Sequence, residues 1–183
     1  KKFVEYCLLA SLSDETPEGK SIIELGHERG GRIRDLDTVG ARMIRFTAET
    51  KCSGVDLANG VRIRKGAFEA IRRICEDSGH VFPQVCEKVI MAISSDGGTP
   101  LVVAVNGEVA GVIELQDVIK PGIRERFERL RKMGVKTVMV TGDNPLTARY
   151  IAEKAGVDDF IAEAKPEDKM EYIRKEQRNG KLV

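Results

Sequence analysis

The chain has 183 residues, of which 42% are hydrophobic and 32% charged, and its formal net charge is +1 at pH 7. That is enough apolar material for a buried core, or for two small domains. The near-neutral balance argues against a nucleic-acid partner, whose phosphates call for a basic face.

No apolar run approaches the roughly 20 residues that span a bilayer, and the first residues lack the apolar stretch of a signal peptide, so a soluble piece is expected. Cys7, Cys52, Cys75 and Cys86 show neither CxxC spacing nor a nearby His. Reduced, free thiols are the expectation, not a zinc site or a disulfide framework.

In chain order, the spacing of apolar residues predicts helices over 4–11 and 17–27, then short strands over 41–46, 54–57 and 61–65. Helices follow over 67–77 and 82–94, and two strands, 100–106 and 108–115, are joined across Asn106-Gly107 as a tight hairpin. Hairpin-linked strands belong to an antiparallel sheet, so this part reads as an α+β unit flanked by helices. The grammar changes near residues 111–120. From Pro121 the order is helix, strand (VKTVMV), helix, short strand (DDFIAE) and helix (PEDKMEYIRKEQ), each helix closing near Gly or Asn. That alternation predicts part of a doubly wound parallel α/β sheet, with Val138, Val140 and Ile151 in its core. The charge-dense stretch 124–132 reads as the solvent face of an amphipathic helix.

Four segments carry chemistry. VKTVMVTGDN ends a β-branched run on Thr141-Gly142-Asp143 at the carboxyl end of a strand, where α/β sheets hold ligands and a hydroxyl suits a phosphoryl oxygen. In KPEDK, Pro166 opens a helix and Lys169 projects from its first turn, a cation suited to a transferring phosphoryl group. DETPEG places Asp14 and Glu15 before a Pro-initiated helix, with Asp14 or Thr16 as its cap. FTAETKCSG puts Phe46 at a strand end and Ser53 beyond a polar turn, and RKGAFEAI presents Lys65 and Gly66 where a strand meets a helix. An adenine ring needs an aromatic face, a glycine lets backbone approach it, and a lysine supplies positive charge to phosphates.

Together, Phe46-Thr47, Lys65-Gly66-Ala67, Thr141-Gly142-Asp143 and 166–169 resemble the cytoplasmic part of P-type cation-transporting ATPases across essentially the whole chain. ASLSDETPEGKSI, FTAETKCSGVD, RKGAFEAIRR and LRKMGVKTVMVTGDN are similar, more narrowly, to the ATP-binding catalytic subunit of the Kdp-type potassium-transporting branch. A heavy-metal pump fits poorly, because His80 is followed by Val81 and no GxGxxG loop exists. The resemblance implies a nucleotide-binding domain over 1–113 and the C-terminal part of a haloacid-dehalogenase-like phosphorylation domain over 114–183. It implies ATP and Mg2+ as cofactors, a place on the cytoplasmic face of a membrane protein, and as partners a membrane domain and other Kdp-type subunits, including a channel-like potassium-binding one. By motif, Phe46 is expected to stack on adenine, Lys65 and Gly66 to line the base and phosphate path, and Asp14, Glu15 and Ser53 to form a polar rim. Thr141, Gly142 and Asp143 are expected to shape the phosphoryl site, Lys169 to neutralise it, and Asp117 of LQDVIK to match the family's hinge aspartate.

The family's DKTGT motif, with its phosphorylated aspartate, and its TGDGTND motif, with the main magnesium carboxylates, are not found in these residues. The expectation is therefore a fragment that binds nucleotide without forming a phosphoenzyme. Plainer readings stand beside each assignment. Phe46 reads equally as a core aromatic, Lys65 as a solvated strand-end lysine, and Asp14 and Glu15 as a helix cap and first-turn acid. Thr141-Gly142-Asp143 reads as an ordinary turn with Asp143 or Asn144 as N-cap, and Lys169 as an exposed helix residue. His27 and His80 have no expected catalytic part. Two other classes remain open: a haloacid-dehalogenase-type phosphatase with a cap domain, and a non-catalytic nucleotide-binding module.

Overall fold

The structure is a computed structural model that describes residues 1–117 and 119–183. Val118, inside the expected 111–120 linker, lies outside the described residues. The backbone divides into two units, one formed by Lys1–Met91 with Pro100–Leu115, the other by Ala92–Thr99 with Gln116–Val183.

The first unit is built on a five-stranded sheet whose strand order is chain order: β1 (Arg42–Ile44), β2 (Cys52–Asp56), β3 (Arg62–Gly66), β4 (Gly98–Val105) and β5 (Glu108–Gln116). β1 to β4 pair antiparallel, in a register that sets Cys52 opposite Gly66 and Ser53 opposite Lys65. The β4–β5 turn has Asn106 at φ 52° and Gly107 at φ 82°, the signs a two-residue primed turn requires. Strand alternation divides the side chains between two layers. On one face Val55, Ile63, Val103 and Ile113 pack with Cys7, Leu9 and Ala10 of α1 (Lys2–Ser11) and Ile22 of α2 (Pro17–Glu28). On the other, Cys52, Val102 and Ala104 pack with Ile71 and Cys75 of α4 (Phe68–Asp77), Phe82, and Ile90 of α5 (Gln84–Ser95).

Element bounds shift in places: β1 stops at Ile44, short of the expected 46, and β4 starts at Gly98, ahead of the expected 100. β2 begins at Cys52, not at 54, because pairing with β3 holds Cys52 and Ser53 extended, and Gly54 is paired on both sides, despite the weak strand propensity of Ser and Gly. A single turn of helix, α3 (Asp35–Thr38), had no periodic signal to announce it.

In the second unit β6 (Val138–Val140) and β7 (Asp159–Ile161) pair in parallel, with α7 (Pro145–Ala155) as the crossover. α6 (Ile123–Lys132) precedes them and α8 (Pro166–Arg178) follows. Asn144 caps α7 by accepting the Thr147 N–H at 3.0 Å, and Gly156 ends it in the left-handed region. Val138, Val140 and Ile151, expected in the core, are only half-buried. β6 and β7 pair only with each other, and among the described residues of α6 to α8 and the two strands the buried ones are instead Thr147, Ala148, Ala152 and Ala155 of α7. Among the described residues no helix is long and apolar enough to cross a membrane.

Candidate functional site

The DETPEG segment is organised around a buried ion pair. Asp14 Oδ2 accepts a 2.6 Å hydrogen bond from Lys65 Nζ, which also donates to Ser11 Oγ at 3.0 Å. The Lys65 side chain is 2% exposed and that of Asp14 4%. Ser11 in turn donates to the Cys7 carbonyl, so the end of α1 joins the network. The other Asp14 oxygen accepts from the Thr16 N–H and hydroxyl, and the Thr16 hydroxyl accepts the Gly19 N–H. Thr16 is therefore the cap of α2, with Pro17 in its first turn, and Asp14 is left to serve Lys65. A Cβ on Gly19 would collide with the Asp14 carbonyl, which explains the glycine of the motif. Burial by itself pushes the Asp14 carboxyl up. The hydrogen bonds from Lys65 and Thr16, with the Lys65 charge, outweigh it and hold the group below the ordinary carboxylate value.

Asp14 and Ser53, expected in a polar rim, are buried, and Lys65 is not a solvated strand-end lysine. Ser53 and Lys65 lie opposite each other on β2 and β3, on the face that α1 covers, and Ser53 Oγ donates to the Ala10 carbonyl at 2.9 Å. Their polar atoms are satisfied by the end of α1 because that helix ends over the sheet. Glu15, by contrast, is exposed. Ser11 was missed by motif reasoning. The available signal was a polar residue one helical turn after Cys7 in an otherwise apolar stretch.

Phe46 lies just beyond β1 and is 41% exposed, so it is not a core aromatic. Ser13 Oγ holds the Ile44 carbonyl at 2.9 Å and fixes the strand end that leads to it. Beyond Phe46, the Lys51 N–H reaches the Thr47 carbonyl and the hydroxyls of Thr47 and Thr50 bond each other, closing one compact turn. That turn meets the Lys65-Gly66-Ala67 triplet, where the Ala67 N–H donates to the Lys51 carbonyl at 3.0 Å. A Cβ on Gly66 would strike that same carbonyl, so glycine is what lets the two backbones meet. A solvent-facing aromatic, a glycine-lined backbone contact and the start of α4 are thus gathered at one end of the sheet.

In the second unit, Thr141 Oγ1 donates to Asp143 Oδ2 at 2.7 Å and accepts the Asp143 N–H at 3.2 Å. The segment before α8 is fastened to this turn: the Glu163 N–H donates to the Asp143 carbonyl and the Ala164 N–H to the Thr141 carbonyl. Lys165 precedes Pro166 as the cap residue of α8, and its N–H donates to Asp168 Oδ2 at 2.7 Å. Thr141-Gly142-Asp143 and the α8 start that carries Lys169 are therefore parts of one local structure, with the Lys169 side chain exposed. Asp117 lies immediately past β5. Among the described residues no group of three His, Cys, Asp or Glu side chains is placed to hold a metal, and Asp143 is already bonded to Thr141.

All four cysteines are free, and burial pushes the Cys7 thiol up to about 11, leaving it unreactive at neutral pH.

A family model described as haloacid dehalogenase-like hydrolase matches residues 3–183. The potassium-transporting ATPase ATP-binding subunit of Clostridium acetobutylicum is 50% identical over 183 residues, 100% of this chain and 27% of that protein. The subunit of the same name from Clostridium perfringens is 54% identical over 176 residues, covering 96% of this chain and 25% of its own length. The chain thus spans about a quarter of the curated relatives it matches. Among solved structures, the catalytic domain of the CPx-ATPase CopB-B superposes with a TM-score of 0.63 at 16% identity, over 97% of this chain and 58% of that one. A zinc-transporting PIB-type ATPase superposes with a TM-score of 0.55 at 24% identity, over 96% of this chain and 26% of that one. At such identities these two likenesses speak for the fold alone. The chain belongs to the haloacid dehalogenase-like hydrolase family, and the relatives it resembles at about 50% identity are ATP-binding subunits of potassium-transporting ATPases.

Proposed function

We propose that this chain is the ATP-binding part, with part of the phosphorylation domain, of an ATP-driven potassium-import pump that works through an aspartyl-phosphate intermediate on the cytoplasmic face of a membrane. The main support is identity near 50% over all 183 residues to subunits named for ATP binding and potassium transport. In this reading residues 1–113 bind nucleotide and 114–183 belong to the phosphorylation domain. Phe46, exposed at the strand end, stacks on adenine, while Gly66 lines the base and phosphate path. Lys65, Asp14 and Ser53 form the polar floor beneath that end of the sheet, and Glu15 lies at its margin.

Thr141 and Asp143 hold the phosphoryl group's surroundings in shape, and Lys169 balances its charge, as positioning and charge stabilisation are what phosphoryl transfer asks of a protein. Mg2+ arrives with ATP, with its main ligands and the nucleophilic aspartate supplied by motifs not found in these residues. The parent assembles with a membrane domain and other Kdp-type subunits, among them a channel-like potassium-binding one. Calorimetric titration with ATP tests the nucleotide role. Saturable binding is expected, about tenfold weaker in Phe46→Ala, with no acid-stable phosphoprotein formed. No saturable binding, or a Phe46→Ala variant that binds like the unsubstituted chain, would sink the pocket assignment.

A further inference from the structure

Three non-glycine residues among those described have positive φ: Lys51 at 49°, Asn106 at 52° and Glu163 at 53°. Asn106 is accounted for by its hairpin turn, and asparagine tolerates that region well. Lys51 has no such excuse. A lysine there suffers the clash of its Cβ with backbone, and the surroundings must over-determine the conformation for it to persist. Two independent features do so. The Lys51 N–H closes the turn on the Thr47 carbonyl at 2.8 Å, while Thr50 N–H and the paired hydroxyls of Thr47 and Thr50 hold its interior. The Lys51 carbonyl is then turned onto the third residue of the Lys65-Gly66-Ala67 triplet, and Gly66 is left no room for a Cβ by that same carbonyl. Phe46 is the residue immediately before this turn, and it is partly exposed to solvent.

We infer that Lys51 is a positioning residue of the nucleotide pocket, acting through its left-handed backbone and not through its ammonium group. By locking the 47–51 turn onto Gly66 and Ala67, it fixes where the Phe46 ring stands relative to the start of α4. The inference rests on the reading of Phe46 as the adenine-stacking residue. It also assigns the glycine of the triplet a partner: Gly66 is there to receive the Lys51 carbonyl.

The test is ATP titration of the 183-residue chain carrying Lys51→Gly, Lys51→Asn or Lys51→Val. Gly and Asn adopt the left-handed region readily, whereas a β-branched residue does not. Binding within about twofold of the unsubstituted chain is expected for Gly and Asn, and about tenfold weaker binding for Val. Because the action passes through the aromatic ring, Lys51→Val should add little to the loss already caused by Phe46→Ala, a coupling that a general loss of stability would not show. Gly binding as poorly as Val would make the charge the working element and overturn the inference. So would a Val variant that binds normally, or full additivity with Phe46→Ala. An unsubstituted chain that binds no ATP would remove the pocket itself, and the inference with it. That outcome is told apart from the others because it precedes any substitution.

Discussion

Lys65 is the largest side chain among those fully buried, and its position is tenable because Asp14 and Ser11 satisfy its ammonium. Breaking such a pair leaves one uncompensated charge in a water-poor site. Lys65→Met is therefore expected to destabilise the first unit by about 3–5 kcal/mol, with most of that loss recovered when Asp14→Asn is added. Urea denaturation of the single and double variants measures both. The pH dependence has a definite sign. The folded Asp14 carboxyl is depressed, so its contribution is complete above the unfolded carboxyl value near 4 and is lost as pH falls through the lower folded value. At this scale the sequence named Asp14 and Lys65 separately, through their motifs. It did not show them as partners, because 51 residues separate them and only the docking of the α1 end over β3 makes them meet. Phe46 was legible as an aromatic at a strand end, but whether it faced core or solvent was a matter of tertiary packing.

Elements hold one another by their ends in the second unit. Arg131, in the last turn of α6, donates to Asp158 Oδ1 at 2.6 Å and to the Gly156 carbonyl at 2.7 Å. The other Asp158 oxygen accepts the N–H and hydroxyl of Thr137 just before β6. The Thr137 N–H, joined by the Arg131 and Thr137 side chains, lowers the Asp158 carboxyl to about 2. The support it gives is thus whole above about pH 4 and lost as pH falls through about 2. Asp158→Ala should speed amide exchange at Thr137 and through the end of α6 by about tenfold or more, while leaving β2 and β3 unchanged. Exchange at Thr137 that does not respond would show the clamp to be idle. Periodicity and caps made the helices of this unit readable to within a few residues, since Gly134, Gly156 and Gly180 punctuate them. The clamp was hidden, because nothing local marks an Arg and an Asp 27 residues apart as neighbours.

At the scale of the molecule, apolar burial is divided unevenly. Both hydrophobic clusters belong to the first unit, whereas among the described residues the buried apolar side chains of the second are three alanines of α7. Little apolar area is removed from water around β6 and β7, and a two-stranded sheet is marginal by itself. In a urea series followed by residue-resolved hydrogen exchange, β6 and β7 should lose protection at lower denaturant than β2 to β4. A single coincident transition would contradict this. The sequence led to expecting β6 in a core because its β-branched run has the composition of a fully covered strand, and composition does not report how many neighbours a strand finds. The first unit's meander has a different kind of consequence, for the order of events during synthesis. Because strand order is chain order, each strand that leaves the ribosome meets a partner already made, and only the step from β3 to β4 must wait for α4 and α5. Pairing between sequence neighbours keeps loop closure short, so the sheet can grow one strand at a time from its amino-terminal edge.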